Sequence, residues 1–358
     1  MTIESFKPEN YMEDVLNKQY AFLKMAVSLP KSEPKWATAN NVIFKEKTLW
    51  LRHFPNPHVN SRRPVLILPP QAGHHGNIAD YSPDQSLVRV FHQYGYDVYV
   101  TDWLSVAPEY KNLGIEDYIN MTNSAVDVIR KRTDIFKIHL VGECQGGWQA
   151  AVYTALYPEK ISALVVAASP IDVEAAPSEI VDNARLPMRL FEALVESNHG
   201  LMNGKYIITG FKNMEPHEHY WHKYFRLWKM VATDDEDNIR RYQRFEEWYE
   251  QPQMLPGRFY LEVIDKIFKK NGMINPGTLK INGTSVDLKN ISCPLILVGG
   301  EKDHITPPEQ VFAMRNHVST PSEQIVETLS KGGHIGTLMG NESLRTNWTM
   351  INEMLKEI

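Results

Sequence analysis

Cysteine is scarce in this sequence, with two in 358 residues, Cys144 and Cys293. One pair cannot build the dense disulfide framework of a small secreted scaffold, so a reducing, cytoplasmic setting is expected. Long apolar runs are lacking too. No stretch approaches the ~20 apolar residues needed to span a bilayer. The N-terminal MTIESFKPENYMEDVLNKQYAFLKM carries acids early and no uninterrupted apolar core, which makes it a poor signal peptide. Positive charge is not in excess either. The balance of 38 basic against 43 acidic side chains gives −5, with no Lys/Arg run to act as a footprint for nucleic acid. His217, His219 and His222 lie close together, but among aromatics, and no Cys/His/Asp set has zinc-ligand geometry. Neither a metal nor another cofactor is expected.

What the chain does have is enough apolar residues for a full core, 43% hydrophobic against 23% charged. Residues 10–30 carry apolar side chains at helical spacing (Tyr11, Val15, Leu16, Tyr20, Leu23) and predict a leading amphipathic helix. Then an alternation begins. Pro64-Val-Leu-Ile-Leu-Pro69 reads as a buried strand, followed by the polar, glycine-rich loop PQAGHHGN. A helix over 85–94 is closed by Gly95, and Asp97-Val-Tyr-Val-Thr101 is the next strand. Residues 116–132 read as helix, 137–142 as strand, 148–157 as helix and 162–168 as strand. Short β-branched runs separated by helical patterns predict parallel strands buried on both faces, the doubly wound α/β arrangement. The alternation stops near Ser178 and resumes with strands at Pro294–Gly299 and Glu323–Glu327. The stretch between is helical in period and crowded with aromatics, including Trp221, Trp228, Trp248 and Tyr249. The expected organisation is therefore one core in two parts, 1–177 and 288–358, with a helical, aromatic-rich cap over 178–287 inserted before the strand that carries the acid.

The segment that points to chemistry is Leu140-Val-Gly-Glu-Cys-Gln-Gly-Gly147. It matches the nucleophile-elbow pattern G-x-S-x-G with cysteine as nucleophile: Gly142, Glu143, Cys144, Gln145, Gly146. A strand must turn sharply into a helix there, with Cys144 in a strained conformation and no room for side chains at the glycine positions. Cys144 lands at a helix N-terminus, where the positive end of the dipole favours the reactive thiolate. The plainer reading, a small buried cysteine between turn-closing glycines, leaves the strand-and-helix context unexplained.

Partners follow in the order this fold uses, nucleophile, acid, histidine. Asp303 stands after the strand PLILVGG, in a loop stopped by Pro307 and Pro308; Glu301 is its competitor, but Asp303 sits deeper in the loop. His334 lies in Lys331-Gly-Gly-His-Ile-Gly336, where flanking glycines allow close approach to the elbow. His334 would take the Cys144 proton and later activate water or an alcohol, while Asp303 fixes its tautomer. The expected oxyanion donors are the backbone N–H of Gln145 and that of Gln71 or Ala72. His74, His304, Trp221 and Trp248 are candidates for contact with substrate, and Cys293 reads as core.

At these residues the chain resembles the polyhydroxyalkanoate synthase and intracellular polyhydroxyalkanoate depolymerase group of α/β hydrolases, from about residue 40 to the end. Asp80-Tyr-Ser-Pro-Asp-Gln-Ser-Leu-Val-Arg89, Gly114-Ile-Glu-Asp-Tyr-Ile119 and GECQGG look like the synthases, as do Glu301-Lys-Asp-His-Ile-Thr-Pro-Pro308 and GGHIG. Pro69-Pro-Gln-Ala-Gly-His74, Gly210-Phe-Lys-Asn-Met-Glu-Pro216 and Phe245–Phe268 look like the depolymerase side. The chain has Ala72-Gly-His-His-Gly76 where synthases commonly carry an Asn-Lys-x-Tyr element. The resemblance thus implies ester hydrolysis on poly(3-hydroxyalkanoate) or its oligomers, narrowly ahead of synthesis from 3-hydroxyacyl-CoA, both through a thioester on Cys144. It also implies a place in the cytoplasm, on polymer granules, and a homodimer or second subunit as partner. A reading of another class is a non-catalytic granule scaffold that keeps the fold.

Overall fold

The computed structural model describes residues 8–27, 34–60 and 63–358. Packing divides them into two compact units, one comprising residues up to 34 with 205–252, the other 35–204 with 253–358. These boundaries fall inside the 178–287 segment: its two ends, 178–204 and 253–287, pack with the sheet.

The larger unit is built on eight strands: β1 (Asn41–Glu46), β2 (Leu49–Phe54), β3 (Val65–Leu68), β4 (Val98–Trp103), β5 (Ile138–Glu143), β6 (Ile161–Ala167), β7 (Leu295–Gly300) and β8 (Ile325–Ser330). They lie side by side in the order β1-β2-β4-β3-β5-β6-β7-β8. β2 runs antiparallel to β1 and β4, and every other pair is parallel. Every residue of β3 through β7 is buried, which is why these runs are continuously apolar rather than alternating. Each fully buried Val, Leu or Ile side chain contributes about 1.5–3 kcal/mol of transfer free energy. Helices Leu87–Gln93, Ile115–Thr133 (α-helical with Asp117 closing its first turn onto Gly114 N–H at 2.9 Å) and Gln145–Leu156 form the crossovers. Gly95 ends the first of them at φ +81°, a backbone conformation that favours glycine. The sheet order and crossovers are those of the α/β-hydrolase fold, as the alternation predicts.

The smaller unit is helical, with Pro8–Val27, Lys223–Ala232 and Glu236–Tyr249 as its longer members besides Gly204–Met214. Phe22 meets Trp228 edge to face at 5.6 Å, and Lys18 bonds the Ala232 carbonyl and pairs with Asp234 at 2.9 Å. The leading helix forms where expected, but Leu16, Tyr20 and Leu23 are exposed; the helix packs through Phe22 instead. The Tyr11 side chain lies outside the described residues. Among those residues no helix is long and apolar enough to cross a membrane.

Candidate active site

The turn after β5 is an elbow. Cys144 has φ 51° and ψ −116°, a strained conformation that costs on the order of 1–3 kcal/mol. Two bonds hold it: Cys144 N–H donates to Ala167 O at 2.8 Å, and Gly147 N–H to Cys144 O at 2.9 Å. The flanking glycines are needed for space. A Cβ on Gly142 would stand 2.4 Å from Gly146 O, and one on Gly146 would stand 2.0 Å from Leu68 O at the end of β3. The helix Gln145–Leu156 starts on the next residue, so Gln145 N–H has no intrahelical acceptor and is open to an oxyanion.

The loop after β7 and the turn after β8 supply the partners. His334 Nδ1 lies 2.8 Å from Asp303 Oδ2, and the neighbouring Cys144 side chain adds to the pull that raises the ring. Asp303 is almost fully buried, and its other oxygen, Oδ1, takes the N–H groups of Ile305 (3.0 Å) and Thr306 (2.9 Å). Burial opposes charge on both groups, but their mutual attraction outweighs it, so the Asp303 carboxyl is held below the ordinary carboxylate range and His334 is raised well above the ordinary imidazole range. Such a set can pass a proton between sulfur, ring and an incoming hydroxyl while Asp303 keeps one tautomer in place.

Sequence reasoning places the other residues less evenly. Glu301 is exposed and ties into the sheet through its backbone, N–H to Ser330 O at 2.8 Å; it is Asp303 that the structure brings to His334. Gln71 is buried with its side-chain amide donating to Tyr118 OH at 2.6 Å, and its neighbour Ala72 is half-buried. Gln253 N–H donates to Gly73 O at 2.8 Å and fixes this loop ahead of His74. His304 is half-buried next to Asp303. Trp221 belongs to the smaller unit and is 73% exposed, whereas Trp248, in the same unit, is 3% exposed and packs on Phe245 and Tyr249. Trp248 therefore serves that unit's core rather than offering an open face. Cys293 is half-buried rather than part of the core, and burial pushes its thiol up to about 11. Among the described residues no cluster of three or more His, Cys, Asp or Glu has metal-binding geometry.

Thr306 is the residue sequence reasoning missed. Its hydroxyl lies 3.1 Å from His334 Nδ1, 3.1 Å from Asp303 Oδ2 and 2.9 Å from the Ala168 carbonyl. Ala168 presents that carbonyl from a strained φ of 46° just past β6. The spacing Asp303 to Thr306 is itself a signal, because a side-chain carboxylate commonly collects the N–H groups two and three residues on. Thr306→Val keeps the shape and removes the hydroxyl. It should slow turnover about 5- to 10-fold, the worth of one buried hydrogen bond of roughly 1–1.5 kcal/mol; steady-state kinetics with a chromogenic acyl ester check this.

Strand order and crossovers define the α/β-hydrolase fold, and that fold sets a cysteine elbow after β5, an acid after β7 and a histidine after β8. Residues 53–339 match the family described as "Protein of unknown function (DUF3141)", and the chain belongs to that family. It is also similar to poly(3-hydroxyalkanoate) polymerase subunits PhaC. The one from Haloferax mediterranei is 26% identical over 89% of this chain and 64% of its own length, so the chain spans less than two thirds of that relative. The one from Allochromatium vinosum is 27% identical over 78% of this chain and 77% of its own. Among solved structures, the monoacylglycerol lipase of Paleococcus ferrophilus (18% identity, TM-score 0.54, 86% of this chain and 98% of that one) and a putative lipase of Sulfolobus solfataricus (17%, 0.54, 91% and 99%) share the fold.

Proposed function

We propose that this chain is an acyltransferase of the poly(3-hydroxyalkanoate) synthase kind, with Cys144 as nucleophile, His334 as base and Asp303 as its orienting acid. The observation that carries the reading is cysteine, not serine, at the elbow of a chain similar over most of its length to proteins named as polymerase subunits. The chemistry suits transfer. Attack of the Cys144 sulfur on a 3-hydroxyacyl-CoA exchanges one thioester for another of similar energy; the CoA sulfur leaves with the proton that His334 carries. A hydroxyl-terminated acyl chain then gives its proton to His334, its oxygen bonds to the acyl carbon, and Cys144 sulfur departs. Water in place of that hydroxyl makes the enzyme a hydrolase. Hydrolysis is the reading the loop Ala72–Gly76 favours in the sequence, and similarity to the polymerase subunits favours transfer over it. Granule attachment and a second subunit belong to the same proposal.

The test is direct. Purified protein is incubated with 3-hydroxybutyryl-CoA, and separately with amorphous polymer. CoA release with growth of an insoluble ester is the expected result. Soluble hydroxy acid released from polymer, with CoA thioester untouched, would put hydrolysis first.

A further inference from the structure

Glu143 is the last residue of β5 and immediately precedes Cys144. Gly142 faces the helix Gln145–Leu156, where a Cβ would meet Gly147 Cα at 2.5 Å and Ala150 Cβ at 2.8 Å. The two-residue alternation of a strand therefore turns Glu143 to the other face of the sheet. There it is wholly buried, and neither carboxyl oxygen meets a protein hydrogen-bond partner. An unpaired, desolvated carboxylate is costly, so the group keeps its proton: burial pushes it up to about 8, against an opposing pull from His334. An amide or an aliphatic side chain of the same size would avoid the cost of an ionisable group there.

Glu143 pairs with Ala167 on β6, and the next residue, Ala168, gives its carbonyl to the Thr306 hydroxyl that stands 3.1 Å from His334 Nδ1, so strand register brings Glu143 to the neighbourhood of the ring, and His334 is the group that opposes the rise. Around it stand Asp303, bonded to His334 from the loop after β7, and Cys144 itself. Two strands away, Asp102 on β4 is held by Arg52 at 2.6 Å and lies 3.6 Å from His75, so its charge is answered locally. Coupling between two titrating sites is mutual: a proton on His334 weakens Glu143's hold on its own, and loss of the Glu143 proton strengthens that of His334.

We propose that Glu143 is a positioning residue for His334: as a neutral acid it leaves the ring free to release its proton, and once ionised it holds the imidazolium and slows acyl transfer. The step affected is the second half of the reaction. Once Cys144 is acylated, the sulfur carries no charge, and His334 must be neutral to take the proton of the acceptor hydroxyl. A second carboxylate beside the ring works against that. This rests on the base role proposed for His334, so three of the four measurements need no substrate.

The first is the infrared spectrum of the full chain, compared between wild type and Glu143→Gln. A protonated-carboxyl C=O band that titrates away at alkaline pH in wild type and is missing from the variant is expected; identical spectra overturn the proposal. The second is His334 protonation, followed by NMR of labelled histidine and assigned with His334→Asn. The ring should lose its proton about one pH unit or more lower in Glu143→Gln than in wild type, and coincident titrations overturn the coupling. Thermal stability supplies a fold control with its own sign. An acid raised from 4.5 to about 8 in the folded chain costs stability as pH rises through that window. Glu143→Gln should therefore gain in Tm over wild type as pH rises, levelling off above the window, and Glu143→Met substitutes if the amide does not fold. In turnover, the ratio of Glu143→Gln to wild type should rise about tenfold from roughly pH 6.5 to 9; a flat ratio in an active enzyme overturns the proposal. A chain inactive on every acyl donor, with the infrared and histidine shifts present, would count against the proposed function and leave Glu143's role standing.

Discussion

Cys144→Ala should reduce turnover to background, a loss on the order of 10⁶-fold, because removing the nucleophile from a covalent mechanism leaves only binding and electrostatic assistance. The fold should survive. The side chain is small, the backbone bonds of the elbow to Ala167 and Gly147 do not involve sulfur, and the strain at φ 51° is the same for alanine. Melting temperature therefore reports an intact chain while activity vanishes. Cys144→Ser keeps the geometry with a poorer nucleophile and should retain a small residue of activity. Iodoacetamide labelling adds a substrate-free check. With the Cys293 thiol pushed up to about 11 by burial, label at neutral pH should fall on Cys144 and disappear in Cys144→Ala. A non-catalytic scaffold has no reason to keep one cysteine reactive and the other inert, so near-equal labelling of both, with turnover unaffected by Cys144→Ala, would remove the elbow from the chemistry.

The parts of the fold legible in the sequence are those whose burial forces a pattern. β3, β5, β6 and β7 are covered on both faces, so their runs are uninterrupted and lie within about a residue of the expected positions. The hairpin β1–β2 escaped notice. Its strands sit at the sheet edge with mixed burial, and its turn places Lys47, at φ 49°, where asparagine or glycine usually gives the signal. The cap illustrates a different limit. Periodicity and aromatic content marked 178–287 as helical, but nothing in local pattern shows that 205–252 packs with a helix some 180 residues earlier in the chain, while Phe259 packs tilted at 4.3 Å against Tyr118, both within the larger unit. In the site, the residues carried by motifs were readable: Cys144 by its glycines, Asp303 and His334 by their loops. Thr306, Ala168 and Glu143 are placed by contacts or burial that arise only when β5, β6, β7 and the His334 turn come together. Glu143 stood inside the elbow motif, in a position the motif leaves open.

Asp303→Asn is expected to lower turnover by about 10⁴-fold with little change in stability, and the structure says why. Asp303 Oδ1 accepts from the N–H groups of Ile305 and Thr306, and Oδ2 faces His334 Nδ1 at 2.8 Å. An asparagine must keep its carbonyl oxygen toward the two backbone donors, since an NH₂ there would meet two N–H groups and leave all of them unsatisfied. Its NH₂ then points at Nδ1, which can only accept. The ring is driven into the tautomer with its proton on the other nitrogen, the one needed to take a proton from Cys144 or from the acceptor hydroxyl. Loss of the carboxylate also removes the charge that holds His334 well above its ordinary range, so the imidazolium formed during the reaction loses its main stabiliser. The two effects act on the same step and should appear in kcat rather than KM. Glu301→Gln is the control: Glu301 is exposed and makes no described contact with His334, so turnover should change less than about twofold. A crippled Glu301→Gln beside a mild Asp303→Asn would move the acid two residues back along the loop and disconnect the 2.8 Å pair from catalysis.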